Sequence, residues 1–172
     1  PYGFANSKDT TSLVKAQSGK QLFSKTHRLL KNRDELLLSI LQKNTEDTFV
    51  IPKNTKSIKE PIALSFSEIE SVGQFSSTTA YIDKKKLNNT FIVRKWQKGD
   101  YFYPIGMNGK KKLSNYFKDQ KMSLLQKEET WLLCDGNDIV WVIGKRMDDR
   151  YKISKNTEII LEIKFSNASH SK

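Results

Sequence analysis

The sequence predicts an α+β protein of two small domains, mostly antiparallel strands, the second a mixed sheet with short helices. Three observations carry that expectation. Short extended runs alternate with turn-forming residues along most of the chain. Asp135-Gly136-Asn137-Asp138, between the apolar runs 130–134 and 139–143, is a strong hairpin signal. Helix-start chemistry marks only a few short segments. Charge divides the 172 residues unequally: up to Asp83 there are 11 Lys+Arg against 9 Asp+Glu, and beyond it 19 against 10, so nearly all of the +11 net charge falls in the second part. Trp96, Trp131 and Trp141 lie there too, which gives that part the stronger core. The expected divisions are a first domain over 1–80, a basic domain over 81–165 and a disordered tail over 166–172.

A helix is expected over 7–14, with Asn6 or Ser7 as its cap and Ser18-Gly19 as its break. Residues 26–31, 35–41 and 48–51, separated by Lys31-Asn32-Arg33-Asp34 and Lys43-Asn44-Thr45-Glu46, read as a small antiparallel meander. Residues 62–69 alternate apolar and polar side chains, the pattern of a half-buried strand, after a loop bounded by Pro52 and Pro61. Residues 70–79 read as a connection, and Lys84-Lys85-Lys86 precedes the second domain. That domain opens with a strand over 90–95 and a turn at Gly99-Asp100. Ser114 caps a helix running to about 121, and Ser123 with Gln126 has capping-box spacing for another helical turn. The hairpin follows, then a last strand over 157–165 with Ile159, Leu161 and Ile163 on one face.

Several chemistries find no support. No apolar run approaches the roughly 20 residues of a membrane span, and no charged-then-apolar leader opens the chain, so a cytoplasmic protein without a membrane partner is expected. Opening on Pro1 rather than methionine, the chain is expected to be a piece of a longer one. Cys134, the single cysteine, is flanked by Trp131-Leu132-Leu133 and reads as a buried strand thiol. His27 and His170 fall in a strand and in the tail, so neither a zinc site nor a Ser-His-Asp triad assembles. Ser18-Gly19-Lys20 approaches a phosphate loop, but Val14 stands at the first glycine and Gln21 at the magnesium-binding hydroxyl. Glu128-Glu129 and Asp148-Asp149 lie beside basic residues and read as ion pairs. No catalytic or metal-binding residue is expected.

Residues 91–112 instead interleave rings, glycines and cations, the pattern of a docking surface for a polyanion. The candidate nucleic-acid contacts are Arg94, Lys95, Lys98, Gly109, Lys110, Lys111 and Lys112, joined by Arg146 and Arg150 after the strand that ends at Gly144. Guanidinium groups suit bidentate phosphate contact, and pairing of these two with Asp148 or Asp149 is the competing reading. Trp96, Gly99, Asp100, Pro104, Gly106, Met107 and Ser114 are expected to hold the shape. Trp96 suits either base stacking or the core, and Asp100 is expected to hold its turn through a backbone amide. Gly106 and Gly109 are expected at positive φ or at a close backbone approach to RNA. Alternate members of Tyr101-Phe102-Tyr103 face opposite ways in a strand, which puts Tyr101 and Tyr103 together. A stand-alone RNA-binding module and a protein-interaction or oligomerisation domain, a homodimer included, are the alternatives.

The ordered set Arg94-Lys95-Trp96-Gln97-Lys98-Gly99-Asp100, Pro104-Ile105-Gly106-Met107-Asn108-Gly109, Lys111-Lys112-Leu113-Ser114, Cys134-Asp135-Gly136 and Ile139 to Gly144, followed by Arg146 and Asp149-Arg150-Tyr151, resembles the C-terminal domain of bacterial tRNA(Ile)-lysidine synthases over about residues 80–164. More loosely, Pro1-Tyr2-Gly3-Phe4 and Ser18-Gly19-Lys20 through Thr26-His27 resemble the latter part of that family's middle, substrate-binding domain. The resemblance implies a parent enzyme that uses ATP and magnesium to adenylate the wobble cytidine of isoleucine tRNA and then joins lysine to it. That chemistry would sit in an N-terminal domain not matched here. The resemblance therefore implies a tRNA-holding part, inactive alone, whose partner is isoleucine tRNA, with the acceptor arm as the expected contact. Two departures stand out: relatives often have a proline and arginines where this chain runs from Met122 to Thr130 with Glu128 and Glu129, and Asn115 replaces a common aspartate.

Overall fold

The computed structural model describes residues 2–4, 7–41, 48–88 and 90–166. Two compact units form: Pro1–Thr45 with Met122–Lys127, and Glu46–Lys121 with Glu128–Lys172.

In the first unit, α1 (Ser7–Val14) precedes a three-stranded antiparallel sheet of β1 (Gln21–Phe23), β2 (His27–Asn32) and β3 (Glu35–Ile40), with β2 in the middle. The central strand is the most buried, through Leu29 and Leu30, and Leu13 of the helix is fully covered. Ser18-Gly19 does end the helix region, because Gly19 N–H donates to the Lys31 carbonyl at 2.7 Å and Arg33 N–H donates to Ser18 Oγ at 3.0 Å. The expected capping box is present as well: Ser123 N–H donates to Gln126 Oε1 at 2.8 Å, and Gln126 N–H to Ser123 Oγ at 3.2 Å.

The second unit holds β4 (Thr48–Ile51), β5 (Ser57–Ile58), β6 (Leu64–Ile69), β7 (Thr79–Asp83), β8 (Phe91–Lys95), β9 (Tyr101–Phe102), β10 (Lys111–Lys112) and α2 (Leu113–Asp119). After α3 (Leu124–Glu129), which straddles the two units, come β11 (Trp131–Asp135), β12 (Asp138–Val142), β13 (Arg146–Met147) and β14 (Ile160–Phe165). A five-stranded sheet runs β13-β12-β11-β8-β4, a four-stranded sheet β5-β6-β14-β7, and β10-β9 form a ribbon. Among the described residues every ladder is antiparallel. The hairpin closes as expected, with Asp135 opposite Asp138 and Gly136 at φ 60°. Val93, Leu133 and Trp141 of the first sheet share one core with Leu64, Ala80, Ile82 and Ile163 of the second. Burial of each large apolar side chain there contributes about 1.5–3 kcal/mol.

The structure corrects four expectations. The boundary between domains falls near 45, not 80, because β4 pairs with β8 while β6 and β7 flank β14. These partners are remote in sequence, so local patterning could not reveal them. For the same reason residues 48–51 leave the expected meander, and Ile51 joins the second unit's core. Thr79, read as the end of the connection over 70–79, instead opens the buried strand β7. Ser114 lies inside α2, whose N-cap is the extended Lys112, since Leu113 N–H is already bonded to the Asp100 carbonyl at 2.8 Å. Ser166 N–H donates to the Ala63 carbonyl at 3.1 Å, whereas Asn6, the turn at 43–46 and the tail beyond 166 lie outside the described residues.

Gly144 combines φ +72° with a built Cβ position 3.2 Å from the Phe165 ring, whereas Gly99 has φ +102° and open space. Gly144→Ala should therefore destabilise by more than the roughly 1 kcal/mol that backbone strain alone costs at Gly99. Urea midpoints of both variants check this, and equal shifts would contradict the packing account.

Candidate nucleic-acid interface

The turn after β8 is built around Asp100. Its Oδ2 accepts from Gln97 N–H at 2.7 Å, so the expected backbone contact is present. The Arg94 guanidinium grips the same carboxylate through Nη1 at 2.8 Å and Nη2 at 2.9 Å, and Nη1 also donates to the Lys95 carbonyl. Both side chains are mostly buried, and the Asp100 hydrogen bonds raise the Arg94 pKa above its ordinary value. Gly99 supplies the positive φ. Lys98 beside it is exposed and makes no ion pair among the described residues. Lys95 Nζ lies 3.9 Å from the Trp131 ring centroid. Trp96 is half-buried and packs edge-on to Phe117 of α2, with centroids 5.4 Å apart.

The ribbon places Lys111 opposite Phe102 and Lys112 opposite Tyr101. Strand alternation then sorts the three rings: Phe102 is buried against Tyr116, and Tyr101 and Tyr103 come together with centroids 6.4 Å apart. Lys110 Nζ sits 3.4 Å from the Tyr101 centroid, and the Arg150 guanidinium 4.7 Å from that of Tyr103 and 5.6 Å from that of Tyr151. Two rings are thus bracketed by two cations in the order Lys110, Tyr101, Tyr103, Arg150, with Arg150 backed by the buried core ring of Tyr151. Of the remaining run, Lys111 is half-buried and ion-paired with Asp119, while Lys112 is exposed and makes no ion pair among the described residues.

Between the strands of the ribbon, Pro104 is buried and its carbonyl accepts from Met107 N–H at 3.0 Å. Gly106 and Gly109 both take positive φ, 79° and 82°. Gly109 and Met107 are exposed. The loop is fastened to β13 by Ile105 N–H donating to the Met147 carbonyl at 2.9 Å and Arg146 Nη1 donating to the Ile105 carbonyl at 3.0 Å.

Asp148 connects these parts. Its fully buried carboxylate accepts from Tyr103 N–H at 2.9 Å, Arg150 N–H at 2.9 Å, Arg150 Nε at 3.0 Å and Arg150 Nη2 at 2.9 Å. Arg150 Nη1 donates to Asp138 Oδ1 at 2.9 Å. These bonds, led by those from Asp148, raise the Arg150 pKa. Pairing with Asp148 thus prevails for Arg150, yet the guanidinium stays partly exposed over Tyr103. The organising role of Asp148 and the burial of Tyr151 in the core behind Arg150 were not read from the sequence. The Asp148-x-Arg150 spacing was the available signal.

Cys134 is fully buried beside Arg94, and burial pushes its thiol up to about 11. Among the described residues no group of three or more His, Cys, Asp or Glu is placed to hold a metal ion, and no helix is long and apolar enough to cross a membrane.

Residues 1–43 match the family model described as the TilS substrate binding domain, and residues 91–163 that of the TilS substrate C-terminal domain. Over 170 residues the chain is 42% identical to a tRNA(Ile)-lysidine synthase of Parabacteroides distasonis, covering 95% of this chain and 39% of the relative. It is 40% identical over 167 residues to a tRNA(Ile)-lysidine synthase of Bacteroides thetaiotaomicron, covering 94% and 37%. The chain thus spans under two fifths of the length of these relatives. A crystal structure of the TILS C-terminal domain shares its fold with a TM-score of 0.60 at 18% identity, over 69% of this chain and 95% of that one.

Two outcomes test the geometry of the interface. Asp148→Asn keeps the shape but weakens the bonds to Tyr103 and Arg150, and should cost about 2–3 kcal/mol in urea unfolding; a cost below about 0.5 kcal/mol would contradict its organising role. A thiol whose folded pKa lies above its unfolded value holds its proton more tightly when folded. Stability from Cys134 is therefore full below about pH 8.5 and falls as pH rises toward 11. Cys134→Ala should flatten that alkaline loss; an unchanged pH profile of the unfolding free energy would exclude the thiol as its source.

Proposed function

The chain belongs to the tRNA(Ile)-lysidine synthase family, of which it carries the end of the substrate-binding domain and the C-terminal domain, and from that membership we propose that it is the part of the enzyme that holds isoleucine tRNA by the acceptor arm. The observation that carries this reading is the ladder of Lys110, Tyr101, Tyr103 and Arg150, flanked in sequence by the exposed Lys98 and Lys112. An RNA stem presents phosphates and 2′-hydroxyls more accessibly than base edges, so a charged, ring-bearing surface recognises its shape. Lys98, Lys110, Lys112 and Arg150 are the proposed phosphate contacts, and the exposed backbone at Gly109 allows close approach. Arg94, Lys95, Lys111 and Arg146 are engaged within the protein and act by holding the surface in shape.

The whole enzyme would adenylate the wobble cytidine with ATP and magnesium and join lysine to it in the cytoplasm, in a catalytic domain outside these residues. One observation among the described residues supports placing that cofactor elsewhere. Ser18 and Gly19, the nearest approach to a phosphate loop, spend their hydroxyl and amide on Arg33 and Lys31.

Salt dependence tests the contact set. Each phosphate contact removed should lower the slope of log K against log salt by roughly 0.7–0.9. Alanine at Lys98, Lys110 or Lys112 should each produce that change in a tRNA-binding assay, and alanine at Lys111 should produce less. Equal changes at all four, or none, would contradict the proposed division between contacts and framework. With ATP, lysine and tRNA the chain alone should form no lysidine, and turnover above a no-protein control would place a catalytic site within it.

A further inference from the structure

The second unit also carries a cleft of about 520 Å³, within the roughly 300–1,000 Å³ range of small-ligand sites. Its floor is Trp141 and Tyr81, both buried. Phe75, Ile105, Met147 and Ile153 supply apolar walls. Phe75 is unusual among them: the ring is 71% exposed, yet it is held edge-on to Tyr81 with centroids 5.4 Å apart. Tyr81 is fixed in turn, because its hydroxyl accepts from Gly73 N–H at 3.1 Å and donates to the Gln74 carbonyl at 3.3 Å. An aromatic ring is thus left open to solvent in a set place.

The charge of the lining narrows the occupant. Lys145, Arg146 and Lys152 line the cleft, and no aspartate or glutamate does. Arg146 is bonded to the Ile105 carbonyl and Lys152 to Asp149, whereas Lys145 is exposed and makes no ion pair among the described residues. A second cleft, of about 700 Å³, is also basic, with Lys53, Lys56 and Lys84 against one glutamate, Glu68, that pairs with Lys84, but its rings Phe66 and Phe91 are half-buried and stacked on each other with centroids 6.0 Å apart, so it offers no open ring. An apolar slot with an open ring and an uncommitted cation suits a ligand with one flat face and one negative group. Every nucleobase has such a face, and its phosphate supplies the charge.

Resting on the RNA-binding reading above, we propose that this cleft takes one unpaired nucleotide of the bound RNA, with its base on Phe75 and its phosphate at Lys145. The contact is tolerant of base identity, because stacking and a point charge carry it. It adds to the grip on the stem without replacing it.

The test compares a blunt RNA stem-loop with the same stem carrying a short single-stranded extension, with AMP as a third probe, all on the full chain. The extension should tighten binding, and Phe75→Ala should weaken the extended RNA by roughly 5- to 100-fold while leaving the blunt stem unchanged. Lys145→Ala should lower the salt slope for the extended RNA alone by roughly 0.7. AMP should shift the amide resonances of residues 75–79 and 145–147. Equal affinity of the wild-type chain for both RNAs, or equal losses on both in Phe75→Ala, would overturn the cleft proposal. Failure of the blunt stem to bind would overturn the stem-holding reading; the AMP shifts then decide the cleft by themselves, their presence upholding it and their absence removing it.

Discussion

The proposed surface depends on one buried carboxylate. Asp148 ties the backbone of Tyr103 to the backbone and guanidinium of Arg150, and by doing so sets the ladder of rings and cations in register. Burying a charge is unfavourable unless it is paired and hydrogen-bonded. Asp148 meets that condition with four donors, and Asp100 meets it with Arg94 and the Gln97 amide. These two acids of the motif are thereby covered, while Lys98, Lys110 and Lys112 remain exposed beside them in the chain. The positive character of this region comes from where its carboxylates are spent as much as from how many lysines it has.

The candidate cations differ in what already holds each of them. Arg94 and Arg146 have planar, multidentate groups that satisfy backbone and carboxylate acceptors, so they serve as internal struts. Lysines at turn tips and ribbon ends keep their charge in water. Arg150 does both, bonding two carboxylates along its edge and laying its face over Tyr103.

What could be read in the sequence was local. The hairpin around Gly136, the capping box at Ser123, the turn held by Asp100, the burial of Cys134 and the pairing of Tyr101 with Tyr103 all follow from residues within a few positions of one another. What escaped was long-range. Pairing of Thr48–Ile51 with β8, and of Leu64–Ile69 and Thr79–Asp83 with β14, joins segments tens of residues apart, and that alone moves the boundary from 80 to about 45. The fate of each cation escaped for the same reason: Lys111 meets Asp119 only once α2 folds back on the ribbon, and Arg150 meets Asp138 across the sheet's edge. The family resemblance located the motif but did not divide its residues into struts and contacts.

The face proposed to meet RNA is made of the ribbon, its loop and the Asp148–Tyr151 segment. Hydrogen–deuterium exchange of the chain with and without isoleucine tRNA tests it directly. Added protection is expected to concentrate in residues 97–112 and 145–152, with β1 to β3 unchanged. Protection confined to β1 to β3, or absent from 97–112 at saturating tRNA, would contradict it.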